Sequence, residues 1–174
     1  MSGQPKVSNL DDLQTENECF EYFAAVDNDT EQYLHFTLAD EDYAVEILRV
    51  QEIKGWKPVT SIPNSPEHIC GVVNFRSKIV PIVDLRRYFE MPIKEYHPET
   101  IVIVLRVEGV SERTVGIVVD SVLGTHNVAP SSIKLSPDLG DGINTAFISG
   151  LVAVDDRMMM LLDIDRLLSI EALG

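Results

Sequence analysis

The hydrophobic and polar positions after residue 30 form many short apolar runs separated by polar turns. The first run, Tyr33–Leu38, alternates roughly between apolar and polar side chains, as a half-buried strand does. Ile101–Val107 and Thr114–Val119 are dense in β-branched residues, which favour strands. Turns recur about every 8–12 residues, a spacing typical of sandwiches and barrels. The pattern therefore predicts a mostly β protein with about five strands in each half.

The other elements follow from the same pattern and from capping and proline signals. Further strands are predicted from Tyr43 onward and over Val50–Trp56, Ile69–Phe75, Lys78–Asp84, Asp120–Val128, Ile148–Val154 and Arg157–Leu162. Asp84 and Asp163 are each placed to cap a short helix. Pro81 interrupts a predicted strand, and proline cannot donate a ladder hydrogen bond. This strand is therefore predicted to lie at a sheet edge or to carry a bulge.

The chain also contains an internal duplication. Gly71–Phe89 and Gly150–Leu168 match at an offset of 79 residues, with identical residues at four positions and apolar residues at most others. Tyr43–Val50 resembles Val115–Val122 at an offset of 72 residues. The matches keep their order along the chain, so two units of one fold are the simplest interpretation.

Composition narrows the classes of function. The 174 residues are 45% hydrophobic and carry a formal net charge of −14, which argues against binding to nucleic acid or to anionic membranes. Residues 1–31 hold eight acidic residues against Lys6 alone, so residues 1–30 are interpreted as an acidic, flexible arm. The chain shows neither a signal peptide nor an apolar run long enough to span a membrane. Cys19 and Cys70 are expected to be reduced thiols of a cytosolic protein.

The sequence carries no recognisable catalytic motif. The histidines are scattered, no metal-ligand spacing is present, and neither a phosphate-binding glycine loop nor a nucleophile elbow occurs. Asp155-Asp156 is a pair of adjacent carboxylates, which is expected to be solvated in a turn. No cofactor and no metal are predicted. A small β-barrel enzyme with a site between the halves remains the alternative from another class.

The two predicted hairpin turns differ in charge. Arg76-Ser77 in the first unit corresponds to Asp155-Asp156 in the second, whereas the apolar positions around them match. Folding requires the shared apolar pattern but not the charge inversion. Opposite charges at equivalent turns would allow the two units to choose different partners, with ordinary surface variation as the alternative explanation.

Several motifs in one order resemble the CheW family of bacterial chemotaxis coupling proteins. The segments concerned are Ile47–Ile53, Gly71–Arg86, Val115–Asp120, Asp155–Met158 and Leu161–Ile164. Together the resemblance covers about residues 31–170. It implies two SH3-like five-stranded β-barrel subdomains with short helices and a third apolar core between them. The subdomains would span residues 31–97 and 98–174, with a C-terminal helix, and the strand spacing leaves open whether strands are exchanged between them.

The resemblance also implies a function. A family member is a non-enzymatic scaffold that joins the cytoplasmic tips of methyl-accepting chemoreceptors to the regulatory domain of the histidine kinase CheA. It works in the cytoplasm at receptor arrays under the inner membrane, without inserting into the membrane. An adaptor of the same fold in another motility or kinase pathway would have a similar sequence, so this alternative stays open.

The resemblance places the receptor and kinase contacts near the junction of the two units. On this chain it indicates the following residues: Val50, Glu52, Ile53 and Arg76, with Ile101 and Val122 as further candidates. The family usually has glycine after the turn arginine, but here the turn is Arg76-Ser77. A serine with positive φ costs roughly 1 kcal/mol, so either the turn type differs or this cost is accepted.

Overall fold

The computed structural model describes residues 30–135 and 145–169, which form ten β-strands and two short α-helices. The predicted acidic arm, apart from Thr30, lies outside the described residues. The strands are β1 (Glu31–Leu38), β2 (Glu41–Glu46), β3 (Val50–Gly55), β4 (Ile69–Phe75), β5 (Lys78–Asp84), β6 (Ile101–Val107), β7 (Arg113–Val119), β8 (Ser121–Val128), β9 (Ile148–Val154) and β10 (Arg157–Leu162). The helices are α1 (Leu85–Tyr88) and α2 (Ile164–Leu167). The predicted mostly β class is therefore confirmed.

Both predicted helix caps are present. The Asp84 carboxylate accepts a hydrogen bond of 2.9 Å from the backbone N–H of Arg86 at the start of α1. The Asp163 carboxylate accepts one of 3.2 Å from the backbone N–H of Arg166 in α2. Each cap satisfies a backbone donor that the first turn of a helix leaves without a partner. None of the described helices is long and apolar enough to span a bilayer.

The ten strands form two five-stranded sheets, and each sheet takes strands from both sequence repeats. Sheet A has the order β8-β1-β2-β10-β9, and sheet B has the order β3-β6-β7-β5-β4. The first repeat comprises β1 to β5 and the second β6 to β10, so each repeat contributes its first hairpin to one sheet and its last three strands to the other. A division of the chain between residues 97 and 98 therefore does not coincide with the division into sheets.

The resemblance implied closed barrels, but neither sheet is closed by strand pairing within the described residues. The outermost strands of each order are not hydrogen-bonded to one another. Single bridges cover two of the edges instead: Thr60 pairs with Val72 of β4, and Lys134 pairs with Leu151 of β9. These bridges satisfy backbone groups that an open sheet edge exposes. The fold is consistent with an SH3-like unit whose sheet remains open.

The predicted edge position of the proline strand is wrong. β5 lies inside sheet B between β4 and β7. The alternative prediction, a bulge, is met in the β4–β5 ladder, but on β4: Pro81 pairs opposite Val72, and the register shifts just beyond it, between Gly71 and Ile69. The parallel ladder between β5 and β7 begins only at Ile82. Pro81 therefore lies just outside that ladder, where its missing N–H costs no ladder hydrogen bond.

Three apolar cores hold the sheets. A smaller core belongs to each sheet, and the largest lies between them, as the resemblance implied. The shared core is built mainly from alternate positions of the two first hairpins, namely Leu34, Phe36, Leu38, Tyr43, Val45, Ile103, Leu105, Val107, Val115, Ile117 and Val119. The intervening positions, such as Val104 of β6, face the core of their own sheet. Strands buried on both faces explain the near-continuous apolar runs in the sequence.

This arrangement predicts one cooperative unfolding transition rather than two. Leu105 is fully buried in the shared core, so Leu105→Ala is expected to lower the free energy of unfolding by about 2–5 kcal/mol. Urea unfolding followed by circular dichroism and by fluorescence measures this loss. Val110→Ala, at a fully exposed apolar position, is the control and should stay within about 0.5 kcal/mol of the unsubstituted protein. Two separate transitions in the Leu105→Ala protein would contradict the shared core.

Candidate functional site

A β-bulge in β3, one of the two edge strands of sheet B, sets the orientation of three predicted site residues. The register of β3 against β6 shifts between Val50 and Glu52, so Gln51 is an extra residue without a direct partner. In an unbroken strand, Val50 and Glu52 would lie on the same face. The bulge instead places Val50 and Ile53 on one face and Glu52 on the other.

The two faces of β3 have different surroundings. Val50 lies opposite Leu105 and Ile53 opposite Ile103, and both partners belong to the shared core. Glu52 lies opposite Val104 of β6, which belongs to the core of sheet B. Ile53 is 42% exposed, so an apolar side chain stands at the border of the shared core in contact with solvent.

The predicted apolar site residues lie at this border. Val50, Ile101 and Val122 are each partly buried and pack against the shared core. Val50 and Val122 are equivalent in the two repeats, and each begins or nearly begins an edge strand of its sheet. Their strands also carry equivalent register shifts. We call Val50, Ile53, Ile101 and Val122 the junction residues.

The two charged residues of the predicted site belong to one cluster. The guanidinium carbon of Arg76 lies 4.7 Å from the centroid of the Phe75 ring, and the Lys54 ammonium nitrogen lies 5.9 Å from the same centroid. The Lys54 nitrogen is also 3.9 Å from a carboxylate oxygen of Glu52. Phe75 thus positions both cations at one end of sheet B through cation–π contacts, each of about 0.5–1 kcal/mol at an exposed site.

Sequence reasoning missed the roles of Lys54 and Phe75 in this cluster. Phe75 directly precedes the turn arginine, so its place in the hairpin was a usable signal. Lys54 follows Glu52 by two residues, and strand alternation puts both on one face. The proximity of Lys54 to Phe75 depends on the packing of β3 against the rest of sheet B, which no local pattern encodes.

The turn that presents Arg76 has the same backbone form in both repeats. Arg76 and Ser77 have φ values of 50° and 66°, and Asp155 and Asp156 have 48° and 67°. Positive φ at both central residues is the form of the type I′ hairpin turn. Ser77 therefore adopts the conformation that glycine favours, at a cost of roughly 1 kcal/mol, and the turn type is retained.

An ion pair fixes the residue that precedes Val50. Two nitrogens of the Arg49 guanidinium each lie 2.7 Å from a carboxylate oxygen of Asp165 in α2. The backbone N–H of Glu108, just after β6, also donates to Asp165 at 2.8 Å. The hydrogen bonds from Arg49 are the main cause that lowers the pKa of Asp165 below its usual value.

A second ion pair repeats this arrangement with the charges exchanged. Asp120, which directly precedes β8, lies 2.6 Å from a guanidinium nitrogen of Arg86 in α1. The backbone N–H of Ala39, just after β1, donates to Asp120 at 3.0 Å. In both places an aspartate accepts hydrogen bonds from an arginine and from the first amide after a buried strand. We call these contacts the two clamps, and they hold the starts of β3 and β8.

The arrangement suits binding to a protein surface. Partly exposed apolar residues border the shared core, and an exposed arginine turn stands at one end of sheet B. Among residues 30–135 and 145–169, no group of three or more histidine, cysteine, aspartate or glutamate residues is arranged to hold a metal ion. These features define a β-sheet protein-interaction module.

Comparison with known proteins identifies the family of this module. A family model described as a CheW-like domain matches residues 32–172, so the chain belongs to the CheW-like family. The chain is 42% identical over 144 residues to the chemotaxis protein CheW of Klebsiella aerogenes, covering 83% of this chain and 85% of that protein. It is 27% identical to the chemotaxis protein CheW of Bacillus subtilis, covering 82% and 89%. The structure resembles the crystal structure of the scaffolding protein TtCheW from Thermoanaerobacter tengcongensis, with a TM-score of 0.73, 29% identity, and coverage of 82% and 95%.

The clamp next to Val50 predicts a pH-dependent contribution to stability. Because folding lowers the pKa of Asp165, its stabilising effect is present above the unfolded value of about 4 and is lost as the pH falls through the folded value. Asp165→Asn is therefore expected to lower the free energy of unfolding at pH 7 by about 1 kcal/mol, allowing for partial exposure of the pair. The difference should vanish by about pH 2.

Urea unfolding at a series of pH values measures this effect. Asp156→Asn, at an exposed turn position, is the matched control and should follow the unsubstituted protein at every pH. A difference between Asp165→Asn and the unsubstituted protein that stays constant down to pH 2 would show that the clamp acts through something other than the carboxylate charge.

Proposed function

We propose that this protein is a non-enzymatic chemotaxis adaptor that couples the cytoplasmic tips of chemoreceptors to the regulatory domain of the histidine kinase CheA. Membership of the CheW-like family supports the adaptor role. The carrying observation is that the exposed Arg76 and Lys54 of β3 contact the same Phe75 ring, so the arginine turn lies beside the strand that carries Val50, Glu52 and Ile53. The protein acts in the cytoplasm, at receptor arrays.

The receptor contact uses the junction residues together with Glu52 and Arg76. Removal of partly exposed apolar side chains from water supplies affinity, at roughly 25 cal/mol for each Å² buried. Arg76 and Glu52 supply orientation, because charged groups at a contact select the partner and set its register more than they add affinity. Arginine suits this role since its planar guanidinium offers a fixed fork of donors to carboxylate or carbonyl oxygens.

The kinase contact follows from the similarity of the two partners. The family resemblance implies that the regulatory domain of CheA has the same fold as this chain. Two such duplicated modules can associate head to tail, and such contacts close into rings or extend into arrays. The opposite charges of the Arg76 turn and the Asp155 turn give the two ends of this module different preferences, so that receptor and kinase are not interchangeable.

The adaptor role predicts that the protein acts on the kinase without turning over a substrate itself. Purified protein incubated with ATP is expected to show neither hydrolysis nor phosphate incorporation, measured with γ-labelled ATP. Addition of this protein to receptor and kinase should instead raise phosphorylation of the kinase. ATP turnover that co-purifies with the intact protein through successive columns would contradict the adaptor role.

Charge reversal at the hairpin turn tests the site directly. Arg76→Glu is expected to weaken binding to receptor signalling fragments by at least about tenfold, because repulsion replaces attraction at the contact. Arg76 is exposed, so the melting temperature should change by only a few degrees. Isothermal titration measures binding, and kinase phosphorylation in reconstituted assemblies measures coupling.

The repeat supplies a matched control for this substitution. Asp155 occupies the equivalent turn with nearly the same backbone φ, so Asp155→Arg reverses a charge in the same local geometry. It should leave receptor affinity within about twofold of the unsubstituted protein. Equal losses in the two variants would point to net charge rather than to a contact at Arg76. Full binding by a folded Arg76→Glu protein would refute the assignment of Arg76.

A further inference from the structure

A chain of polar side chains crosses four adjacent strands of sheet A. Nε2 of His126 on β8 lies 3.0 Å from Nδ1 of His35 on β1. Nε2 of His35 lies 2.9 Å from Oδ1 of Asp42 on β2. Oδ2 of Asp42 lies 2.5 Å from Nε of Arg157 on β10. The two histidines are 91 residues apart in sequence, and strand exchange between the repeats brings them into contact.

The two middle members of this polar chain, His35 and Asp42, are buried, and the fold does not require them to be polar. His35 is 8% exposed and Asp42 is 3% exposed, so each needs hydrogen-bond partners to offset the loss of water. In sheet B, the residue that corresponds to His35 is Val104, which is fully buried, and the residue that corresponds to His126 is Lys54. An apolar side chain therefore serves equally well at the equivalent core position of the other sheet.

The geometry sets where the protons lie when both histidines are neutral. The Asp42 carboxylate can only accept a hydrogen bond, so Nε2 of His35 carries the proton that it donates. Nδ1 of neutral His35 is then an acceptor, and Nε2 of His126 must donate to it. Each short contact in the chain thus has one proton, and the Arg157 charge balances that of Asp42.

The same geometry limits how many protons the pair can take up. One additional proton on either ring leaves a donor facing an acceptor and makes the hydrogen bond charge-assisted. Two additional protons place an N–H of His35 against an N–H of His126, with two cations in contact. The bond between the rings is then lost, and repulsion replaces it. Histidine is the side chain that ordinarily changes charge between pH 5 and 8.

Few other charges surround the pair. Tyr33 lies opposite His126 in the β1–β8 register, and its hydroxyl donates to Glu31 at 3.2 Å. Burial and the neighbouring Glu31 raise the pKa of Tyr33, so this hydroxyl stays neutral. β8 and β9 carry no acidic or basic side chain besides His126. The acids that face or adjoin the pair are thus Asp42, which Arg157 already neutralises, Glu31, and Glu46, which lies opposite Tyr33 on β2.

We propose that the His35–His126 pair is a pH-sensitive fastening of β8 to sheet A. Among the described strands, β8 is an edge strand that pairs with β1 alone, and its ladder already carries a register shift next to His35. An edge strand with one ladder belongs to the least stable part of a sheet. Double protonation of the pair adds repulsion between β8 and β1 and releases the strand.

Hydrogen exchange of the full chain tests this fastening. After correction for the intrinsic pH dependence of exchange, the protection of β8 amides is expected to fall at least about tenfold between pH 7.5 and pH 5.0. Amides of β3, the equivalent edge strand without a histidine, are the internal control and should keep their protection. Nitrogen chemical shifts of the imidazoles at pH 7.5 should show the proton on Nε2 of both rings.

Two substitutions distinguish protonation of the His35–His126 pair from other causes of the pH dependence of β8 protection. His126→Gln cannot form two facing cations, so the ratio of β8 protection at the two pH values should approach one, whatever its absolute level. His97→Gln, at an exposed histidine outside both sheets, should retain the full pH dependence. Unchanged β8 protection between pH 7.5 and 5.0, or an equal loss of protection in His126→Gln, would overturn the proposal.

Release of β8 has a consequence for the junction. Val122 lies on β8 opposite Phe36 of the shared core, so loosening this strand alters one wall of the junction. This last step rests on the proposed function, whereas the fastening of β8 does not. Receptor affinity of the unsubstituted protein should fall more steeply below pH 6 than that of His126→Gln. Parallel curves with pH-dependent β8 exchange would remove Val122 from the contact surface and leave the fastening intact.

Discussion

The exchange of the first hairpins between the two repeats is the constraint on which the rest of this structure depends. Because β1 and β2 join sheet A while β6 and β7 join sheet B, these four strands are buried on both faces. Their alternate residues build the shared core, and their other residues complete the core of each sheet. Neither repeat can bury its apolar surface alone, so the unit of folding is the pair.

The two clamps stand where the chain enters the edge strands after each exchanged hairpin. Each places an aspartate between an arginine and a backbone amide, but the helix supplies the arginine in one clamp and the aspartate in the other. A clamp requires an arginine in contact with an aspartate, and it forms whichever of the two the helix carries. The duplicated halves therefore keep the contact while their sequences diverge, and Val50 and Val122 are held alike at the border of the shared core.

Sequence patterns correctly predicted the features of the fold that depend on contacts between residues close together in the chain. The bounds of β4, β5, β9 and β10 agree with the sequence because each hairpin is a nearby apolar alternation around a two-residue turn. The edge position predicted from Pro81 failed because the pairing of β5 depends on β7, far along the chain. The bulge at Gln51 has no local signal, so the sequence indicated Val50, Glu52 and Ile53 but not that they lie on two faces. The contact of His35 with His126 arises only through strand exchange.

Symmetry of the fold and asymmetry of the surface have separate physical origins. Core positions tolerate little change in volume, so the repeats still match where side chains are buried. Exposed turn residues cost little to change, and the Arg76 and Asp155 turns share a backbone but not a charge. Sheet A contains one exception at a buried position, where His35 takes the place that Val104 has in sheet B, and hydrogen bonds to Asp42 and His126 offset the burial of its ring nitrogens. A duplicated scaffold thus acquires different contacts at its two ends without altering the interactions that hold it together.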